Sequence, residues 1–219
     1  GSIGLDAGLR VKETLTGFKW IAAAIREAEG TGRFIVGGEE SYGYMIGDSV
    51  RDKDAVAAAC LFCELADVAA NEGTDLLGRL AQIHAKHGAF KEALVSQTKQ
   101  GRAGKAEIAK QMEGFREDPP AVLAGERVVE VRDYASQRVH NLSEGTTRPM
   151  DFPASNVVQL VTDGQSIVTA RLSGTEPKIK FYFSVRMIPE MWKAVGSYDA
   201  VMHALDQKIA QLKTQMGVV

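Results

Sequence analysis

The feature that most constrains the fold is the alternation of apolar and polar side chains in the last third of the chain. In residues 179–185 every second side chain is apolar, which is the pattern of a β-strand with one buried face. Two further apolar runs, at 157–161 and 167–172, are separated by Asp163-Gly164, a dipeptide typical of a hairpin turn. The sequence therefore predicts an antiparallel sheet in this region.

A helix follows these strands. Ser197 is a suitable N-cap, and the apolar residues after it recur at helical spacing; they are Val201, Leu205, Ile209, Leu212 and Met216. Asp118-Pro-Pro120 breaks the chain before the first strand, because neither proline can continue a helix. We therefore predict a small α+β domain over residues 118–219.

Residues 1–117 mix helical patterns with short apolar runs and predict an α/β domain. Residues 33–36 are expected to form a buried strand. The helix expected over 54–70 is apolar nearly all round, which is typical of a buried helix. Residues 74–87 predict an amphipathic helix, and residues 89–117 carry only a weak helical stripe.

Composition excludes several classes of protein. The net charge of −2 over 219 residues provides no general attraction for nucleic acid or for an anionic membrane. No run reaches the ~20 apolar residues of a membrane span, and the first residues lack the pattern of a signal peptide. Cys60 and Cys63 are interpreted as small buried hydrophobic residues, with a redox or metal pair as the alternative. We expect a cytoplasmic protein.

The stretch Arg171-Leu-Ser-Gly-Thr-Glu-Pro177 lies between two predicted strands and suits an oxyanion such as phosphate. Arg171 can make a bidentate contact, and the hydroxyls of Ser173 and Thr175 can donate hydrogen bonds. Gly174 permits close approach of the backbone. On these residues alone, a polar turn with an exposed arginine is an equally good interpretation.

A second polar stretch, Gly37-Gly-Glu-Glu-Ser-Tyr-Gly43, follows an apolar run. Ligands of open α/β sheets bind where strands end, and the carboxylate of Glu39 and the hydroxyl of Ser41 suit a polyhydroxylated ligand. Lys53 is expected close to this acidic loop. A solvated acidic turn beside an ordinary surface lysine is the alternative.

Taken together, three stretches resemble the α-D-phosphohexomutase family of phosphoglucomutases and phosphomannomutases: Thr16-Gly-Phe-Lys19, residues 37–43 and residues 171–177. The resemblance extends over nearly the whole chain. It implies that residues 1–117 are the third, α/β/α, domain of the family, truncated at its N-terminus. Residues 118–219 would be the fourth domain, an α+β domain with a TBP-like antiparallel sheet.

The resemblance also implies roles for individual residues. Thr16, Gly17, Glu39 and Ser41 would contact the sugar. The phosphate that is not transferred would be held by a second group, namely Arg171, Ser173, Gly174, Thr175 and Lys180. Lys53 matches a lysine thought to take part in proton transfer, a weaker correspondence.

Family members carry a phosphoserine loop and an aspartate-rich Mg²⁺ loop in their first two domains, and neither motif is present in this sequence. The resemblance therefore implies a C-terminal fragment that is inactive alone and needs the missing N-terminal domains of the same polypeptide. The complete enzyme would use Mg²⁺ and form glucose 1,6-bisphosphate while interconverting glucose 1-phosphate and glucose 6-phosphate.

Several alternatives remain open at this point. Glu40 and Tyr44 favour the phosphoglucomutase branches, but a phosphomannomutase or a phosphopentomutase of the same family would share most of these motifs. Two alternatives do not involve an enzyme. One is a phosphosugar-binding module that catalyses no reaction, and the other is a protein in which both loops are only structural turns. For a member of the phosphohexomutase family, the expected binding partner is a small-molecule phosphosugar, and neither nucleic acid nor a membrane is expected.

Overall fold

The computed structural model describes residues 1–40, 42–173 and 177–218. The helices are α1 Ser2–Asp6, α2 Phe18–Ala28, α3 Ala55–Asn71, α4 Leu76–His87, α5 Gly101–Glu117, α6 Pro189–Val195 and α7 Tyr198–Gln215. The strands are β1 Val36–Gly38, β2 Tyr44–Ile46, β3 Ala89–Thr98, β4 Val122–Leu123, β5 Glu126–Asp133, β6 Arg138–Asn141, β7 Thr146–Pro149, β8 Val157–Thr162, β9 Ile167–Leu172 and β10 Lys178–Met187. The chain divides into two compact units, Gly1–Ile83 and His84–Val219.

The first unit has a small core around α2 and a hairpin. β1 pairs with β2 in antiparallel register. Phe18 and Ile25 of α2 are buried together with Met45 of β2. Because Phe18 is the first residue of α2, this packing holds the start of the helix against the hairpin.

Two expectations for the first unit were wrong. A buried strand is predicted at residues 33–36, but the strand in this region, β1, begins only at Val36. Ile35 and Val36 are also half exposed, not buried. The helix expected over 54–70 is present as α3, but it is not buried. Among the described residues its exposed side chains include Val56, Phe62, Leu65 and Val68, together with Cys60 and Cys63.

The exposure of α3 has a simple geometric reason. Asp54 caps the helix by accepting from the backbone N–H groups of Val56 and Ala57, each at 3.0 Å, so the helix forms where its sequence predicts. Among the described residues of the first unit, α3 packs mainly against the three-residue strand β2, which is too short to cover a helix of 17 residues. α4 is likewise exposed along Leu76, Leu77 and Leu80.

The second unit is an antiparallel sheet with helices on one face. In the described part of the chain the strand order is β3-β10-β9-β8-β5-β6-β7, with β4 paired to β5. The predicted inward residues of β10 are confirmed, since Ile179, Phe181, Phe183 and Val185 are at most 1% exposed. They pack with α5 and with the predicted apolar face of α7 in one core.

The division between the two compact units falls between residues 83 and 84, whereas the predicted domain boundary lies between residues 117 and 118. β3 is the reason. All ten of its residues pair with β10, from Ala89 opposite Met187 to Thr98 opposite Lys178. The polar and basic sequence of residues 89–117 does not predict this strand, although its pairing with β10 joins residues 89–98 to the sheet of the second unit.

A half-buried carboxylate links three elements of the second unit. Glu126 of β5 accepts hydrogen bonds from Thr162 at 2.6 Å and from Ser166 at 2.7 Å. It also pairs with Lys208 of α7. Burial raises the pKa of Glu126, but the hydrogen bonds from Lys208, Thr162 and Ser166 outweigh burial and leave the pKa below its usual value. This cluster fastens the β8–β9 turn and α7 to the sheet.

Candidate functional site

Of the acidic stretch, Glu39, Glu40, Tyr42 and Gly43 lie at the tip of the hairpin, between β1 and β2. The backbone N–H of Glu39 donates to the carbonyl of Gly43 at 3.0 Å, and that of Tyr42 donates to the carbonyl of Glu39 at 3.2 Å. Tyr42 has a φ of 64°, a conformation that non-glycine residues rarely adopt, and its side chain is exposed. The tip is therefore a tight turn that presents Glu39 from a fixed backbone.

Gly43 lies where the side chains of Phe18, Glu39 and Lys53 converge. A Cβ at this position would be 2.7 Å from Cε2 of Phe18, 3.0 Å from Oε1 of Glu39 and 3.1 Å from Cγ of Lys53. The ammonium of Lys53 lies over the ring of Phe18, 5.2 Å from its centroid. The absence of a side chain at Gly43 thus lets Glu39 and Lys53 approach each other above a buried aromatic ring.

The stretch 16–19 lies beside the same hairpin. The hydroxyl of Thr16 donates to Oε1 of Glu40 at 3.0 Å. Gly17 precedes α2 with a φ of 121°, which favours glycine. Thr16, Gly17, Glu39 and the additional candidate Lys53 are therefore brought to one side of the first unit, whereas Ser41 lies outside the described residues.

Lys53 is held in its charged form. Its Nζ donates to Oδ1 of Asp52 at 2.7 Å, and the same oxygen accepts from the backbone N–H of Lys53 at 2.7 Å. The hydrogen bond to Asp52, with a smaller contribution from Glu39, raises the pKa of Lys53. The hydrogen bond from Lys53 lowers the pKa of Asp52. A raised pKa makes Lys53 a weaker proton donor as well as a poor base at neutral pH, so this side chain is suited to provide a positive charge and hydrogen bonds.

In the second unit, Arg171 and Lys180 lie side by side. Arg171 near the end of β9 is directly opposite Lys180 of β10 and opposite Val157 of β8. Ala170, which precedes Arg171 on β9, and Phe181, which follows Lys180 on β10, are buried in the core with residues of the helices. Arg171 and Lys180 therefore share the face of the sheet that is turned away from α5 and α7, and both are half-buried.

Ser173 lies at the entry to the loop that follows. Its backbone N–H donates to the carbonyl of Lys178 at 2.9 Å, and the backbone N–H of Lys99 donates to the carbonyl of Pro177 at 3.0 Å. These bonds continue the ladder beyond β9 and fix both ends of the loop. Gly174 and Thr175 lie outside the described residues.

Sequence reasoning missed three residues that shape the first group. None of the three is predicted from the sequence to contact a candidate residue: Phe18 and Glu40 enter only through the stretches that carry the family resemblance, and Asp52 is given no role. The adjacency of Asp52 to Lys53 in sequence could have indicated their hydrogen bond. The position of Phe18 beneath Lys53 could not be predicted from spacing, because Lys53 follows Phe18 by 35 positions in the sequence.

Two negative findings concern only the part of the chain that the structure describes. Within it, no cluster of three or more His, Cys, Asp or Glu side chains could hold a metal ion. Across the same residues, no helix combines the length and the apolar character needed to cross a bilayer.

Comparisons of the sequence with known proteins identify a family and several relatives. Residues 3–84 match the family described as phosphoglucomutase/phosphomannomutase, alpha/beta/alpha domain III. The chain is 38% identical over 177 residues to the phosphoglucomutase of Staphylococcus haemolyticus, covering 81% of this chain and 32% of that protein. It is 39% identical over 175 residues to the phosphoglucomutase of Staphylococcus aureus, covering 80% of this chain and 32% of that protein. The chain thus spans about a third of the length of these relatives.

A comparison of folds extends over both units. The exocytosis-sensitive phosphoprotein pp63/parafusin from Paramecium, a phosphoglucomutase in its open form, matches with a TM-score of 0.59. The match covers 98% of this chain and 36% of that chain at 14% sequence identity. At this identity the likeness shows a common fold, which is the expected α/β unit followed by an α+β unit with an antiparallel sheet.

Proposed function

Because the chain belongs to the phosphohexomutase family and corresponds to its C-terminal portion, we propose that it is the substrate-binding part of a phosphoglucomutase. In this proposal the complete enzyme interconverts glucose 1-phosphate and glucose 6-phosphate through glucose 1,6-bisphosphate. Mg²⁺ and the phosphorylated serine would be supplied by other domains of the same polypeptide. The chain alone would bind the phosphosugar in the cytoplasm without turning it over.

The pairing of Arg171 with Lys180 is the observation that carries this proposal. Like charges directly opposite each other on neighbouring strands destabilise a sheet. A dianionic phosphate between the two side chains would remove that repulsion and accept charge-assisted hydrogen bonds, which are among the stronger ones in proteins. The half-buried setting of the pair increases the effect, because electrostatic interactions strengthen away from bulk water.

The first unit supplies the chemistry expected for the sugar. The carboxylate of Glu39 can accept hydrogen bonds from sugar hydroxyls. The ammonium of Lys53, whose pKa is raised by Asp52, can donate a hydrogen bond to a sugar or phosphate oxygen. A phosphoglucomutase must hold its bisphosphorylated intermediate in two orientations, and a carboxylate that accepts from different hydroxyls suits that requirement.

Amide NMR titrations of the 219-residue chain with inorganic phosphate, glucose 1-phosphate and glucose 6-phosphate test the proposal. All three ligands should shift signals near Arg171 and Ser173, and the two sugars alone should also shift signals near Glu39. Arg171→Ala should remove most phosphate affinity, whereas Arg102→Ala, which removes an exposed arginine of α5, should leave it unchanged.

Two results would contradict the proposal. Absence of shifts near Arg171 at millimolar phosphate would mean that this loop does not bind phosphate by itself. Formation of glucose 6-phosphate from glucose 1-phosphate by the chain, above the level of its Arg171→Ala variant in a coupled dehydrogenase assay, would show that it is not merely a binding part.

A further inference from the structure

The open face of the second unit's sheet places two hydroxyl side chains beside the two cations. Thr169 precedes Arg171 by two residues on β9 and faces the same side. Tyr182 follows Lys180 by two residues on β10 and is directly opposite Thr169. Side chains two residues apart on a strand are about 7 Å apart, so these four residues form a compact square patch.

Thr169 is held by a chain of hydrogen bonds that begins in a buried residue. The hydroxyl of Tyr134, which is 9% exposed, donates to Oε1 of Gln159 at 3.1 Å. This leaves the amide nitrogen of Gln159 to donate to the hydroxyl oxygen of Thr169, also at 3.1 Å. The ring of Tyr134 packs against Phe152 with the centroids 5.6 Å apart, so the start of the chain is anchored.

The direction of these hydrogen bonds decides whether the hydroxyl of Thr169 is left with a proton to donate. Its oxygen already accepts a hydrogen bond from Gln159, and a hydroxyl has a single proton to donate. That proton is left for an acceptor other than Gln159. Besides Gln159, the neighbours of Thr169 on this sheet face include Arg171 on β9 and Lys180 and Tyr182 on β10, and an anion bound to the two cations would be such an acceptor.

We propose that Thr169 donates a hydrogen bond to the phosphate held by Arg171 and Lys180, and that Gln159 is the positioning residue that orients its hydroxyl. The proposal rests on the proposed function, because it assumes that this patch binds phosphate. It extends the phosphate site from the loop at 171–177 onto the sheet face itself. The competing interpretation is that Thr169 and Gln159 are only a cross-strand pair that stabilises the sheet.

Isothermal titration of the 219-residue chain with inorganic phosphate separates the two interpretations. Thr169→Val keeps the shape and the strand preference of the side chain but removes the hydroxyl, and it should weaken phosphate binding about tenfold. Thr169→Ser should restore affinity to within about threefold of the unmodified chain. Ser184→Ala is the matched control, because it removes a hydroxyl from the same face of β10, opposite Ile167, and should change nothing.

The role of Gln159 is tested by a double-mutant cycle. Gln159→Leu should weaken phosphate binding in the unmodified chain, and it should have no further effect when Thr169 is already valine. An equal effect in both backgrounds would show that Gln159 does not act through Thr169. Thermal unfolding of each variant checks that the sheet is retained.

The outcomes distinguish this inference from the proposed function. If Arg171→Ala abolishes binding while Thr169→Val binds phosphate as tightly as the unmodified chain, the role of Thr169 is refuted and the proposed function stands. If the unmodified chain does not bind phosphate at millimolar concentration, both are refuted.

Discussion

Gly43→Ala should destabilise the first unit specifically. A Cβ at this position would be 2.7 Å from the ring of Phe18, which is 0.7 Å inside the 3.4 Å at which ordinary contact begins. The side chains of Glu39 and Lys53, at 3.0 and 3.1 Å, can move into solvent at little cost. The ring of Phe18 cannot, because it is 5% exposed and packed against Ile25 and Met45.

The size of the effect follows from this geometry. Gly43 does not have a positive φ, so alanine introduces a steric overlap without backbone strain. Overpacking of a filled core costs about 1–3 kcal/mol, and we expect Gly43→Ala in that range. Gly32→Ala is the matched control: it lies in the same unit, also lacks a positive φ, and its added Cβ would meet nothing within 4 Å.

Native-state hydrogen exchange is a suitable assay, because it reports on each unit separately. The amide of Met45 should lose protection in the Gly43→Ala variant, and the amides of β10 should not. The reasoning would be refuted if Gly43→Ala exchanged like Gly32→Ala at Met45, since the ring of Phe18 would then have room to retreat.

Two further predictions follow from titratable groups. The pKa of Glu126 is lowered in the folded chain, so its contribution to stability is present above the unfolded value of about 4.5 and is lost as pH falls through the folded pKa. Glu126→Gln should lower the free energy of unfolding by about 1–3 kcal/mol at neutral pH, and the variant should then lose less stability in acid than the unmodified chain. Urea unfolding as a function of pH measures both effects. Glu117→Gln, at an exposed position, is the control and should reproduce the profile of the unmodified chain. Asp52→Asn should lower the pKa of Lys53, because it removes the partner that raises this pKa. An NMR titration of the dimethylated lysine side chains measures the pKa, and an equal value in the variant and in the unmodified chain would contradict the prediction. Asp48→Asn is the control.

Much of the second unit could be predicted because its signals are local. The alternation in β10 and the spacing along α7 each depend on neighbours a few residues apart, and both are confirmed in the buried residues. β3 was missed for the opposite reason. Its half-buried side chains include Lys91 and Gln97, and its place in the sheet depends on pairing with β10, about 90 residues further along the chain.

The first unit shows where composition misleads. The apolar sequence of α3 predicted burial, and the helix itself forms with the expected cap at Asp54. Burial also needs a surface to pack against, and among the described residues of this unit α3 packs mainly against the three-residue strand β2, which is too short to cover a helix of 17 residues. Apolar composition therefore predicts that a helix favours burial, not that the neighbouring elements provide it.

The sequence alone determined which residues are candidates for binding, since the glycine-rich and charged stretches at 37–43 and 171–177 stand out by their chemistry and by their resemblance to a known family. Their roles stay predictions until ligands are measured. Only the tertiary structure decided which side chains meet. It placed Glu39 and Lys53 around Gly43, Arg171 opposite Lys180, and Thr169 opposite Tyr182. The physical reason is that side-chain type is a property of each residue, whereas proximity depends on strand register and close packing between segments far apart in the chain.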